Sequence, residues 1–250
     1  MPLWLPLRSL LRNRRRSALS LAIVALGTAI AFFVLGYVQE SRALIRETTV
    51  AEFGNLQIAA SELWDDTADG YEYLIPPATM ERINELLAAE VRVSSATVQL
   101  QFPGLLASGD RTQVVRITGT VPGNATLRAA GEVVAGRDLE AADTAAVLIG
   151  RALADRLDLA PNDVVTLTLT TTSGAYNASP LRIAGIYRFT SEQVELQTLF
   201  LPLRYAQALL STAGIDRVVV ALDDLAATSG TRDRLQRALD AAGIALEIKT

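Results

Sequence analysis

The sequence predicts an α+β domain held outside a membrane by one N-terminal transmembrane helix and a helical stalk. Three observations predict it. Arg12, Arg14, Arg15 and Arg16 stand directly before an apolar run with no ionisable side chain until Glu40. The chain beyond the run is acidic: five of the 23 Lys and Arg residues precede Glu40, leaving 18 against 27 acids. From Gly54 onward, short apolar alternations with the period of strands are interrupted by stretches with the period of helices, without a regular strand-helix repeat.

The apolar run, Ser17 to Val38, is 22 residues long, about 33 Å as a helix, enough to cross a hydrocarbon core of about 30 Å. A secretory signal has a shorter apolar core, about 7 to 15 residues, and ends at a small-residue cleavage site. The one passable candidate, Ser41-Arg42-Ala43, has Arg at its centre. The run therefore reads as an uncleaved span. Arginines before it and acids after it place residues 1–16 in the cytoplasm and the bulk outside. Ala18, Ala22, Ala25, Gly27, Ala29 and Ala31 have the spacing that lets helices approach closely in lipid, a pattern that an Ala-rich composition also produces. Leu3, Trp4, Leu7, Leu10 and Leu11 interleave with Arg8 and Arg12, as in a short helix lying on the inner surface. Residues 39–52 contain neither Gly nor Pro, so the membrane helix is expected to continue outward as a stalk rather than a flexible tether.

The external elements come in order along the chain. "GNLQIAA" alternates as a strand. "PPATMERINELLAAE" opens on Pro and sets Met80, Ile83, Leu86 and Leu87 at helical spacing. "VRVSSATVQLQF" and "RTQVVRITGTV" are strands joined by the Gly-containing turn "ASGDR"; "VLIGRALADRL" is a strand running into a short helix; "DVVTLTLTTT" and "PLRIAGIYRF" are strands, and "LPLRYAQALLS" is a helix. The end reads strand, helix, strand: "DRVVVALDD", "TRDRLQRALDAAG", "IALEI".

With 250 residues, 50% hydrophobic and 20% charged, the chain can bury a sizeable core. It has no Cys, no His and a single Lys at position 249. That removes His-based triads, thiolate nucleophiles and His- or Cys-ligated metals. An acidic exterior argues against nucleic acid as a partner. "DDTADG" places Asp65, Thr67 and Asp69 like the early ligands of a calcium loop, but Pro76 stands where the bidentate Glu is needed. No Gly-rich loop ends in Lys-Ser or Lys-Thr, so ATP would act through a partner. The triplets at Asn124 and Asn177 fit a glycosylation sequon but read as turns. No catalytic residue, cofactor or metal is expected. A rival reading gives Asp65, Asp66 and Asp69 hydrolytic work, whereas acids bunched in a polar loop are ordinarily a solvated surface.

The order of these features resembles the membrane subunits of MacB-type and LolC/LolE-type ABC transporters, with FtsX more distant, over nearly the whole chain. The resemblance lies in "LRNRRRSALSLAIVALGTAI"; in "FGNLQI", at Gly54 and Gln57; and in "RITGTVPG", at Gly119 and Pro122. It is most specific in "VVAGRDLEAADTAAVLIGRALADRLDLAPNDVVTLTL", at Gly136, Gly150, Leu153, Ala154, Leu157 and Asp163, and it continues to Gly185, Pro202 and Gln207. Several of these have a structural reading of their own, since Gly150 lets a strand turn into a helix and Gly136 sits at a turn. Asn162 stands where the family usually has Gly before the Asp, and Asn also tolerates a left-handed turn.

The resemblance implies a bacterial inner-membrane permease subunit with a periplasmic domain, an ABC ATPase partner and a second permease subunit, identical or different. It also implies a periplasmic partner protein or lipoprotein, and transmission of ATP-driven motion rather than catalysis. It further implies that residues 53–105 and 214–250 form a membrane-proximal α+β subdomain, with the strand-rich residues 106–213 inserted as a distal one. The alternative is a stand-alone anchored periplasmic domain that binds a protein or lipid. "ALEIKT" stands where the family continues into three further membrane helices. Topology is directly testable: a reporter fused after Thr250 is expected to behave as periplasmic and stay membrane-bound. Recovery of a soluble form beginning near Leu44 would identify the run as a cleaved signal.

Overall fold

The computed structural model of the chain describes residues 19, 23–30, 32, 56–64, 70–123, 131–189, 191–224 and 227–250. The chain divides into two units, Met1–Glu47 and Thr48–Thr250. In the first, residues 23–30 are helical, and Leu19, Ile23, Val24, Leu26, Ile30 and Phe32 are all exposed. Among the described residues no helix is long and apolar enough to cross a membrane. Much of the expected span, with the arginines before it and the stalk after it, lies outside the described residues.

The second unit begins with β1 (Leu56–Ala59), whose alternation turns Leu56 and Ile58 to one face and Gln57 to the other. Its neighbours are the last strand, β10 (Glu247–Lys249), and β9 (Arg217–Leu222), both antiparallel. Ile58 lies opposite Ile248 on one side and Val218 on the other. β2 (Val93–Ser108) completes this part of the sheet by pairing β9 through Val93 to Gln99. Two helices cover it. α1 (Pro77–Ala89) starts on a proline, whose missing N–H has no intrahelical partner to lose in a first turn, and buries Ile83 and Leu87. α5 (Thr228–Ala241) buries Thr231, Leu235 and Leu239. The apolar side chains of both helices join Leu56, Ile58, Val218, Val220 and Ile248 in one hydrophobic cluster. Arg234 of α5 holds Glu90, just past α1, through Nε at 3.1 Å and Nη2 at 2.9 Å.

The middle of the sequence adds β3 (Arg111–Thr120), β4 (Gly131–Gly136), β5 (Ala146–Gly150), β6 (Val164–Thr170), β7 (Tyr176–Phe189) and β8 (Thr198–Pro202). Their pairings run β2 to β3, β8, β5, β7, β6 and back to β2. The circuit is a closed barrel of six strands, parallel at β3/β8 and β5/β7 and antiparallel elsewhere. Closure removes the open edges that invite aggregation. Leu100, Leu106, Ile117, Val147, Ile149, Leu167, Ile183 and Leu199 form its core, joined by Leu153 and Leu157 of α2 (Arg151–Leu157) and by Leu209 and Leu210 of α4 (Leu203–Leu210). β4 lies outside the circuit on β7, next to a small aromatic cluster of Tyr187, Phe189 and Phe200. α3 (Glu192–Gln197) leads into β8.

Several local expectations need correction. β2 does not stop at Phe102 but runs through Pro103 to Ser108. A proline is tolerated there because, among the described residues, that edge of β2 has no strand partner between Gln99, the last to pair with β9, and Leu105, the first to pair with β6. β7 starts at Tyr176, so Asn177 lies in a strand and not a turn; its Nδ2 donates to the carbonyl of Leu209 at 2.9 Å, near the end of α4. β4, α3 and β8 have no counterpart among the expected elements.

Gly150 also differs from its sequence reading. Its backbone is ordinary, φ −66° and ψ 149°, so conformational freedom is not what the position needs. Space is: a Cβ there would lie 2.1 Å from the carbonyl oxygen of Glu195. Gly150→Ala is therefore expected to cost about 1–3 kcal/mol in a denaturant titration. Gly230→Ala within α5, where the nearest atom lies at 3.6 Å, is expected to gain about 0.5–1 kcal/mol.

Candidate functional site

The residues singled out in the sequence assemble into three structural knots rather than one pocket. In the first, Gly150 brings β5 against α3, and Leu153 and Ala154 sink into the barrel core. Glu195 closes this corner: it is buried, accepting from the Phe189 N–H at 2.8 Å with Oε1 and from the Ala152 N–H at 3.1 Å with Oε2. The second knot pairs Gly136 of β4 with Gly185 of β7. Gly136 has φ +75°, and a Cβ on it would lie 2.3 Å from the Ala184 oxygen. Beside it, Arg137 grips Asp143 through two 2.7 Å bonds, which holds the Asp143 carboxyl below the usual carboxylate range. The turn into β6 belongs here too: Asn162 has φ 78°, as expected for a left-handed turn, and Asp163 Oδ2 accepts from the Ala160 N–H at 2.8 Å.

In the third knot, Gly119 of β3 leaves room for Ala206 of α4, Pro202 precedes that helix, and Gln207 Nε2 donates to the carbonyls of Ala213 and Gly214. Pro122 is half-buried just after β3, and Gln57 lies on β1. Arg12, Arg14, Arg15, Arg16, Gly54, Asp65, Asp66, Asp69 and Asn124 lie outside the described residues. Among the described residues no cluster of His, Cys, Asp and Glu could hold a metal. A cavity of about 570 Å³ beside α2 is lined by Arg151, Arg156 and Arg188. Its charges are largely internally matched, Arg188 with Glu132 at 3.1 Å and Arg151 with Asp155 at 3.7 Å.

The polar centre that sequence reading missed lies where the two hydrophobic clusters meet. The segment after Gly70 straps across them: Tyr71 and Leu74 pack on the barrel core, while Tyr73 and Ile75 pack on the helix-covered one. Ile75 and Ile215 exchange backbone bonds of 2.7 and 3.1 Å. The next residue, Asp216, is fully buried, and its N–H donates to the Gln99 carbonyl at 3.1 Å. Asp216 Oδ2 accepts from Arg217 Nε and Nη2, both at 2.9 Å. Arg217 Nη1 donates to Gln57 Oε1 at 3.1 Å, and the guanidinium carbon lies 5.9 Å from the Trp64 ring centre. Lys249 Nζ lies 5.1 Å from the same ring, so an indole carries two cations. Burial pushes the Asp216 carboxyl above its ordinary range, with Arg217 pulling the other way. Tyr73 is pushed up to about 12, by burial first and then by the Asp216 charge. In the sequence, "DR" before "VVVAL" is the only sign of this centre, and it reads as a strand start.

With the closed barrel and the two-ended sheet in view, relatives can be compared. The profile of the MacB-like periplasmic core domain family matches residues 17–238. The chain belongs to that family. A MacB-like periplasmic core domain is the periplasmic part of a transporter permease, and the solved structures agree in fold. The periplasmic region of MacB from Actinobacillus actinomycetemcomitans is similar over 81% of this chain and 91% of that one, at 13% identity and a TM-score of 0.58. The extracellular domain of the noncanonic ABC-type transporter YknZ from Gram-positive bacteria is similar over 68% of this chain and 88% of that one, at 15% identity and a TM-score of 0.53. No curated protein matches the chain in sequence.

The buried pair in this MacB-like domain yields a measurable coupling. Arg217→Ala leaves a buried carboxylate unpaired and is expected to cost about 3–5 kcal/mol. Adding Asp216→Asn should return part of that loss, as read by chemical unfolding of both single variants and the double variant. Strict additivity would mean that the two side chains do not act as a pair.

Proposed function

We propose that the chain is part of a permease subunit of a MacB- or LolC/LolE-type ABC transporter, anchored in the inner membrane with its N-terminus cytoplasmic. In this reading it passes ATP-driven motion from a cytoplasmic ATPase to the periplasm, for export or lipoprotein release. It works beside a second permease subunit, identical or different, and meets a periplasmic partner protein or lipoprotein. It transmits work and catalyses nothing itself.

The observation that carries the reading is the pairing of β1 with β10, Ile58 opposite Ile248. In a complete permease of this family, one membrane helix leads into the external domain and another leads out. A sheet in which the first and last external strands are neighbours gives both helices a grip on the same rigid element. Family membership and the apolar, Arg-preceded run from Ser17 to Val38 support the membrane setting. The two cores support a division into a proximal and a distal part but not its boundary at residue 105: one core draws on residues 56–87 and 215–248, the other on residues 100–210, so Leu100 and Phe102 fall with the distal part.

The stalk tests the mechanism. Pro in place of Ala43 should cost about 3 kcal/mol of helix stability and uncouple the external domain. In a reconstituted complex with its ATPase, transport is expected to fall while basal ATP hydrolysis survives. Unchanged transport would make residues 39–52 a passive tether.

A further inference from the structure

Asp216 is more than a filled position at the seam. It stands against the stretch of β2 that has no strand partner on that edge among the described residues, between Gln99 and Leu105. Both hydrogen bonds from Arg217 go to Oδ2, while Oδ1, although fully buried, has no side-chain donor among the described residues, and the backbone N–H of Gln101 is what β2 offers the carboxylate. A buried carboxylate oxygen short of donors is costly when charged, and it becomes a donor itself when protonated. The Arg217 guanidinium is held by that one carboxylate oxygen, by Gln57 of β1 and by the Trp64 ring.

We propose that Asp216 and Arg217 form a proton-controlled latch at the junction of the two cores. Ionised Asp216 holds the Arg217 guanidinium in place, and protonated Asp216 releases it, loosening its link to Gln57 and Trp64. The groups that face the carboxyl are Arg217 on its own strand and Tyr73 on the strap, with Tyr71 behind it. From β2 come only uncharged groups, the backbone of Gln99 and Gln101, of which the Gln101 N–H favours the charged form. Lys249 and Glu247 of β10 lie two strands away on the sheet face that Arg217 shares.

The direction of the pH effect is set by burial. Desolvation raises the folded carboxyl above its unfolded value, and the neighbouring guanidinium opposes this without cancelling it. The folded chain therefore binds the proton at a pH where the unfolded chain has released it. The contribution to stability is full below the unfolded value and is lost as pH rises through the folded one. The latch does not depend on the transport reading, and its test needs no transport assay.

Trp64 reports on the latch, because its ring faces the guanidinium and only one other Trp, Trp4, is present. The test uses the full chain in detergent with Trp4→Phe, recording indole emission and the Asp216 carboxyl carbon shift across about pH 3 to 8. Both signals are expected to move together in one transition, with a midpoint above the ordinary Asp value of about 3.9. The emission change should vanish in Asp216→Asn and persist in Lys249→Met. A transition surviving Asp216→Asn, or a carboxyl midpoint at or below the ordinary value, overturns the proposal. If Asp216→Asn fails to fold, the carbon titration of the chain with Asp216 intact decides alone, as does the presence or absence of a matching emission change.

Discussion

One continuous strand holds the periplasmic domain together. β2 belongs to both cores: its first residues pair with β9 over the helix-covered cluster, and its last residues pair with β3 and β6 in the barrel. Gln99 is the changeover, lying opposite Arg217 on one side and Thr120 on the other. Sixteen residues of strand span about 50 Å. No flexible linker separates the two cores along this path. Movement of β1, β9 and β10 thus has a direct route through β2 into the barrel, which two domains joined by a loop would lack.

A barrel of only six strands has little interior, so its chain crossings are tight, and this explains what the recognisable residues do. Gly150 admits α3, Gly136 and Gly185 admit each other's backbones, and Gly119 admits α4. The turns between these crossings use polar side chains that close on their own backbone, as Asp163 does with Ala160. α4 ends on Ser211 in the left-handed region, φ 59°, and its last carbonyls are taken up by Thr172 and Asn177 from across the barrel. With identities of 13% and 15% to solved relatives of the same fold, most side chains can change if the tight crossings are preserved.

Elements whose signal is local are legible in the sequence. α1 announces itself by Pro77 and the spacing of Ile83 and Leu87, and the β2/β3 hairpin by Gly109 between two alternating strands. The sequence from Val147 to Leu169 displays strand, helix, turn and strand in order, and the terminal strand read in "IALEI" is present but shorter and later, Glu247–Lys249. β8 is hidden because all five of its residues are buried, so no alternation marks it, and it runs through Pro202 straight into α4, which reads as the start of the helix alone. β4 is hidden for the opposite reason: it is half-exposed, with Gly at both ends. Partner choice is not visible at all, because parallel pairing of β3 with β8 joins residues some eighty positions apart. The polar seam escapes notice on the same ground. Asp216 and Arg217 look like solvated charges at a strand start, and only the packing of β2 and the strap around Asp216 makes its carboxyl a buried one.

Polar contacts at that seam supply something that apolar ones would not. An apolar filling would hold two cores together at least as well, because a buried ion pair seldom repays its desolvation. What apolar contacts lack is direction: they tolerate a slip of one position, and a slip of one residue in a strand exchanges its two faces. Asp216 is tied to Gln99 through its own N–H and to Arg217 through its carboxylate, and Arg217 is tied in turn to Gln57. The bonds to Gln99 and to Gln57 tie the start of β9 to β2 and to β1 at the point where β2 changes partners, and the carboxylate aims the guanidinium between them. The strap through Ile75 and Ile215 adds a fourth segment to the same place. Hydrogen bonds that cannot be re-formed one residue along keep the register of these strands in a way that depth of burial does not.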